Sequence, residues 1–270
     1  MVNFDLGGKV TVITGGAGVL CSSMAQGFSQ AGAKVAVLDL AEDKAKEVAD
    51  NINAHGGEAI AVKADVLNIE SLQQARQVVM DRFEKIDILI NGAGGNKAGA
   101  TTSPKLSFFD LPQDALEWVF RLNLLGTIYP TQVFGRVMAD QGSGSIVNIS
   151  SMAAFKPLTN TIAYSSAKAA ISNFTQWMSV HFCQEYNPKI RVNAIAPGFL
   201  LTQQNQYLLQ DEAGKRTERG QKIIDGTPMG RYGKPEELIG AAIFLCSEAA
   251  SFITGVVLPI DGGFNAYSGV

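Results

Sequence analysis

Cysteine is scarce in these 270 residues: Cys21, Cys183 and Cys246 are the whole supply, and none stands at metal-ligand spacing from another. Neither a disulfide framework nor a cysteine metal site is expected, and the scatter fits a reducing compartment. Histidine is scarcer, with His55 in a polar helix end and His181 in a long helix; both read as structural, and no metal is expected. No run of about eighteen apolar residues could span a bilayer. The polar start, Met1 to Lys9, lacks the form of a signal peptide, so a cytoplasmic location is expected. No basic run occurs either. With 22 Lys and Arg against 25 Asp and Glu, the net charge of −3 gives a nucleic-acid or anionic-membrane partner no electrostatic support. No Pro/Gly/Ser-rich linker and no internal repeat divides the chain.

What is present is an ordinary globular balance, 46% hydrophobic and 17% charged, enough to bury a core. Short β-branched runs alternate with helical patterns: Lys9–Ile13, Lys34–Leu38, Ala59–Val62, Ile86–Ile90, Ser145–Ile149, Ile190–Ile195 and Val256–Ile260 predict strands. Several are apolar at consecutive positions, as parallel strands buried on both faces require. The segments 18–31, 42–55, 69–84, 112–139, 162–187 and 234–247 predict helices. This alternation predicts an α/β fold: one Rossmann-like, doubly wound domain over 1–270 with a parallel seven-stranded sheet. In such sheets ligands bind at the carboxyl ends of the strands. The loops 91–111 and 197–233 are unusually long there, and the second, with a helical stretch Gln203–Gln210, predicts a substrate-loop insertion at about 199–230.

The first strand runs into Thr14-Gly15-Gly16-Ala17-Gly18-Val19-Leu20-Cys21 and then a helix. Glycines at such a turn let backbone approach a pyrophosphate, and the helix N-terminus offers free N–H groups and a positive dipole end. The same turn could serve plain strand-to-helix packing. Asp39 ends the second strand, 25 positions after Thr14. A carboxylate there can accept both hydroxyls of an adenosine ribose and would repel a 2′-phosphate, which favours NAD over NADP. It could equally cap the helix that follows. Farther on, Tyr164 and Lys168 stand four apart in a helical segment, on one face. A neighbouring cation favours a phenolate and makes a tyrosine usable as a general acid/base. Ser151, thirteen positions before Tyr164, ends a strand where its hydroxyl could meet a substrate oxygen.

With these residues in order, the sequence resembles the short-chain dehydrogenase/reductase family along essentially its whole length. Matching pieces are Thr14-Gly15, Asp65, Asn91-Gly92-Ala93-Gly94, Asn123, Ser151, Tyr164, Lys168, Pro197-Gly198 with Thr202, and Asp261-Gly262-Gly263. The resemblance implies an NAD(H) oxidoreductase in which Tyr164 passes the proton and Ser151 orients the reacting oxygen. Lys168 would lower the tyrosine pKa and bind nicotinamide ribose, and Asn123 would hold a water linking Lys168 to solvent. Gly15, Gly16, Gly18, Val19 and Leu20 would take the pyrophosphate, Asp65 and Val66 the adenine. Asn91, Ala93 and Gly94 would lie along the cofactor, and Pro197, Gly198 and Thr202 against the nicotinamide. One departure stands out: the family's last two turn glycines are here Val19 and Cys21. Gly16 and Gly18 are expected to compensate, with a locally shifted turn.

Within the family, Gly94 to Thr101, Asn173 to Trp177, Pro197 to Asn205, Thr217 to Gly220 and Ser268 to Val270 resemble the branch of D-mannonate oxidoreductases, or fructuronate reductases. A sugar acid needs donors for its hydroxyls and a cation for its carboxylate, and Asn96, Lys97 and Asn205, with Ser151, are the expected substrate contacts. The cations at 215–222 read rather as a solvated helix face. Rival readings are reduction of another keto-sugar acid of the gluconate type, reduction of 3-oxoacyl carriers, and a non-catalytic NAD(H)-binding regulator. Trp118, Phe174, Trp177 and Phe182 at helical spacing read as core or subunit interface, and the resemblance implies a homotetramer.

Overall fold

Each expected strand forms within two residues of its expected bounds: β1 (Val10–Thr14), β2 (Lys34–Asp39), β3 (Ala59–Lys63), β4 (Ile88–Asn91), β5 (Gly144–Ile149), β6 (Ile190–Pro197) and β7 (Val257–Ile260). The structure is a computed structural model that describes residues 3–202, 206–211 and 214–269. The strands pair in parallel throughout, in the order β3-β2-β1-β4-β5-β6-β7. Their unbroken apolar runs follow from burial on both faces. In β2, Val35 and Val37 enter one core, while Ala36 and Leu38 enter the other.

The first core packs α1 (Val19–Gln30), α2 (Glu42–Ala54) and α9 (Ile239–Cys246) on the sheet through Met24, Phe28, Ile52 and Leu245. The second packs α3 (Ile69–Phe83), α5 (Gly126–Gln141) and α6 (Ile162–Glu185) through Leu72, Val79, Phe134 and Met138. Phe28 and Phe134 are fully buried, each stabilising the fold by about 1.5–3 kcal/mol through area removed from water. The chain leaves β1 toward β2 on one side and returns from β3 to β4 on the other, so the sheet's order reverses between β1 and β4. That reversal opens a crevice at their carboxyl ends.

The helix expected over 112–139 is not continuous. It runs as α4 (Gln113–Phe120), a π-helical stretch Arg121–Leu125, and α5. Pro130 cannot donate to the carbonyl four residues back. Asn123 Nδ2 donates to the Val119 carbonyl at 2.8 Å, and Thr127 Oγ1 to the Asn123 carbonyl at 2.8 Å. Across this turn the Gly126 N–H reaches the Arg121 carbonyl five residues back, and the side-chain bonds accompany the wider turn. After β6 the chain makes its long excursion with α7 (Gln206–Leu209) and α8 (Glu218–Asp225). Helix α8 falls where the cations at 215–222 read as a solvated helix face, and it extends to Asp225. Among the described residues no helix is long and apolar enough to cross a membrane.

Candidate active site

The glycine turn is closed to side chains by the neighbouring β4 turn. Gly15 has φ of 62°, and a Cβ there would stand 2.8 Å from the Ala93 backbone. Thr14 Oγ1 accepts from Gly92 N at 3.2 Å and from Ala93 N at 3.4 Å, fastening the two turns across the crevice. Cys21 fits where the family has glycine because Gly92, on the facing turn, leaves room for its side chain. A Cβ on Gly92 would collide with Cys21 Sγ. Burial, and secondarily Asp39, push the Cys21 thiol up to about 12, so it remains a protonated packing group at neutral pH. Asp39 does not cap the helix that follows, whose N-cap is Ala41 without a side-chain cap bond. Its Oδ1 accepts from Ala41 N and its Oδ2 from Ala17 N, each at 3.0 Å, tying the end of β2 to the glycine turn.

These elements wall a cavity of about 560 Å³ at the carboxyl ends of β1 and β4. Gly15, Gly18, Val19 and Leu20 line one end with Asp39, Asp65 and Val66. Ala93 and Gly94 line the middle, and Ser151, Tyr164, Pro197, Gly198 and Thr202 the other end. Gly16, Asn91, Asn123 and Lys168 stand behind this wall. Asn91 Nδ2 donates to Thr131 Oγ1 and Asn148 Oδ1 at 3.0 and 2.8 Å, joining β4, β5 and α5. Asn123 clasps Gly95, accepting from its N at 3.2 Å and donating to its O at 2.7 Å. A Cβ on Gly94 would lie 2.8 Å from Asn123 Oδ1 and 3.4 Å from Lys168 Nζ, so this glycine brings both groups to the cavity wall.

Ser151 leaves β5 as the cap of a 3₁₀ turn, its Oγ accepting from Ala153 N at 3.1 Å. It also hydrogen-bonds Tyr164. Lys168 Nζ lies 5.6 Å from the centre of the Tyr164 ring and donates to the Ile149 carbonyl at 2.7 Å. The expected lowering of the tyrosine pKa by Lys168 is not what these contacts produce. Burial raises the Tyr164 phenol, and the Ser151 hydrogen bond opposes that rise. Burial also lowers Lys168 to about 8, with Cys21 acting the other way.

Residues 17–265 match the family model described as Enoyl-(Acyl carrier protein) reductase. The chain belongs to the short-chain dehydrogenase/reductase family. This oxidoreductase is 48% identical to the uncharacterised oxidoreductase UxuB of Bacillus subtilis over 275 residues, 98% of each chain. It is 38% identical to an NAD-dependent glycerol dehydrogenase of Listeria innocua, covering 97% of this chain and 96% of that one. Among solved structures, a "putative D-Mannonate oxidoreductase" from Haemophilus influenza with bound NAD superposes with a TM-score of 0.93. It is 50% identical, with 98% of each chain covered.

Not every expected site residue of this dehydrogenase reaches the cavity. Asn96 donates to Thr101 Oγ1 at 2.9 Å, and the Lys97 ammonium lies 5.5 Å from the centre of the Trp118 ring; neither lines the cavity. Asn205 lies outside the described residues. Conversely, Cys21, Leu40, Ala64, Leu122, Ile149 and Ser150 line the cavity without having been expected there. Leu40 and Ala64 directly follow β2 and β3, so position at a strand's carboxyl end was the available signal.

Proposed function

We propose that this dehydrogenase interconverts D-mannonate and D-fructuronate with NAD(H). The observation that carries the reading is its 50% identity, over 98% of both chains, with the Haemophilus structure named for D-mannonate and holding NAD. The residues present fit a dinucleotide. Gly15 and Gly94 occupy positions where a Cβ would meet backbone, the Asn123 amide or the Lys168 ammonium. The start of α1 presents backbone N–H groups to a pyrophosphate, and Asp39 stands where the adenosine ribose would lie. Nicotinamide supplies the hydride in reduction and accepts it in oxidation. Ser151 donates to the substrate oxygen, and Tyr164 delivers its proton to that oxygen or recovers it in the reverse direction. Lys168, buried and cationic below about pH 8, holds ribose hydroxyls. Asn123 acts through Gly94 and Gly95 and completes the route by which Lys168 meets solvent.

The subunits associate as a tetramer through the outer faces of α5 and α6, where Trp177 is 58% exposed and Val180 54% exposed. A concentration-independent monomer in sedimentation would refute this. The catalytic proposal is tested by NADH oxidation with D-fructuronate, beside 5-keto-D-gluconate and an acetoacetyl thioester. Turnover of fructuronate alone is expected. Turnover of another ketone instead discards the substrate, and silence with NADH still bound discards catalysis in favour of a binding role.

A further inference from the structure

We infer that Arg219 receives the substrate's carboxylate in a second cavity beside Tyr164; this rests on the sugar-acid reading above. The cavity, of about 600 Å³, lies between the segment Lys156–Thr161 and the face of α8 that carries Arg219 and Lys222. Its position ties it to the reacting groups. Lys156–Thr161 is the link between Ser151 and Tyr164, and Phe199 on its wall stands between Gly198 and Leu200, which line the cofactor cavity. Ser151 and Tyr164 line the first cavity, and the second adjoins it in the chain through Phe199 and through the segment that joins those two residues.

Its charge is unbalanced in one direction. Lys156, Arg219 and Lys222 face a single carboxylate, Glu218, in a chain whose net charge is −3. Glu218 is committed to Lys222 at 2.6 Å, and Lys156 Nζ donates to the carbonyls of Phe264 and Tyr267. Arg219 has no hydrogen bond or ion pair to any described residue. A planar guanidinium free at the edge of a positively charged cleft matches a carboxylate in bidentate geometry. The remaining wall suits a polyol. Thr161 is 7% exposed, and its hydroxyl is buried without a hydrogen-bond partner among the described residues. Asn160 uses its Oδ1 on Thr102, which leaves its amide donors for a ligand. Phe199 and Phe264, with ring centres 5.3 Å apart, offer an apolar surface to the C–H face of a sugar chain. The site takes a polyhydroxylated carboxylic acid.

The test uses Arg219→Ala and Arg219→Lys, with Lys215→Ala, outside the cavity, as control. Turnover is measured with D-fructuronate and with neutral D-fructose. Binding is measured by titrating D-mannonate onto the enzyme–NADH complex, which cannot react because both partners are reduced. Loss of a charge-assisted hydrogen bond predicts a rise of about 10- to 100-fold in KM for fructuronate and in Kd for D-mannonate with Arg219→Ala. The fructuronate kcat and the NADH affinity should change by less than about twofold, and Arg219→Lys should restore part of the loss. Lys215→Ala should match wild type. Equal effects on the acid and the neutral sugar, or none on either, overturn the assignment. If wild type binds D-mannonate but turns over no keto acid, the catalytic proposal falls while the Arg219 binding shift still decides this one. If wild type binds no D-mannonate at millimolar concentration, the carboxylate site falls too. Tighter binding of D-fructose 6-phosphate than of D-mannonate, lost in Arg219→Ala, would make it a phosphate site instead.

Discussion

On the cofactor side of Tyr164 the wall is largely backbone, while on the other side it is largely side chains. Gly15, Gly92 and Gly94 bring main chain so close that an added methyl would strike the opposite turn, the Cys21 thiol or the Asn123 amide. Across the tyrosine, Lys156, Asn160, Arg219 and Lys222 stand on a loop and a short helix held by a Thr217 cap and i,i+4 pairs. The first wall is rooted in the sheet and tolerates little change of shape. The second can exchange one polar side chain for another at small cost to stability.

The comparison is broken or sharpened most strongly at the residue between the two walls. Removing the phenolic proton donor in Tyr164→Phe should lower kcat by about 10²- to 10⁴-fold while NADH affinity, followed by fluorescence, stays near wild type. Loss of NADH binding instead would mean that Tyr164 chiefly builds the cofactor wall. Next comes the rigidity of that wall. Gly92→Ala places a methyl against Cys21 Sγ and 2.8 Å from the Thr14 carbonyl, so overpacking should cost about 1–3 kcal/mol in urea unfolding. Cys21→Gly in the same chain should return part of it, and full additivity of the two changes would show that they do not meet.

A third expectation concerns desolvation. Lys168 titrates ordinarily at 10.5 but at about 8 when folded. Between those values the unfolded chain holds more protons, so stability rises with pH across the window and the burial cost is fully felt below it. Wild type should gain on Lys168→Met by about 2 kcal/mol between pH 7 and pH 9.5, read as the difference between their unfolding free energies. A flat difference would mean that water reaches the ammonium freely. The smallest effect is expected on the substrate side. Thr217 Oγ1 accepts from Gly220 N at 3.0 Å, and Thr217→Ala should cost about 1 kcal/mol, seen as faster amide exchange confined to α8.

The legible part of the site follows the same division. Gly15, Asp39, Ser151 and Tyr164 could be placed from sequence because each ends or follows a β-branched run, or stands at helical spacing from its partner. The role of Gly92 was hidden, since its partner Cys21 belongs to another element and only their meeting across the crevice shows how Cys21 is accommodated. Helix α8 carried readable signals, with Thr217 as cap, Glu218 in the first turn and Ile223 and Ile224 as its apolar side, though none showed that Arg219 borders a cavity. The break at Arg121–Leu125 is a shift of the backbone bonding to five residues back, accompanied by side-chain bonds of Asn123 and Thr127, and no hydrophobic period records it.

Local pattern by itself determined the alternation of strands and helices, the parallel sheet and the turns at its carboxyl edge, because burial on both faces and close approach to phosphate each demand particular residue types at particular spacings. Tertiary structure alone decided that Asn96 and Lys97 stand outside the cavity, that Cys21 and Gly92 share one space, and that Arg219 and Thr161 line one cavity. Those outcomes depend on which surfaces of distant segments meet, and periodicity along a chain carries no record of distances across it.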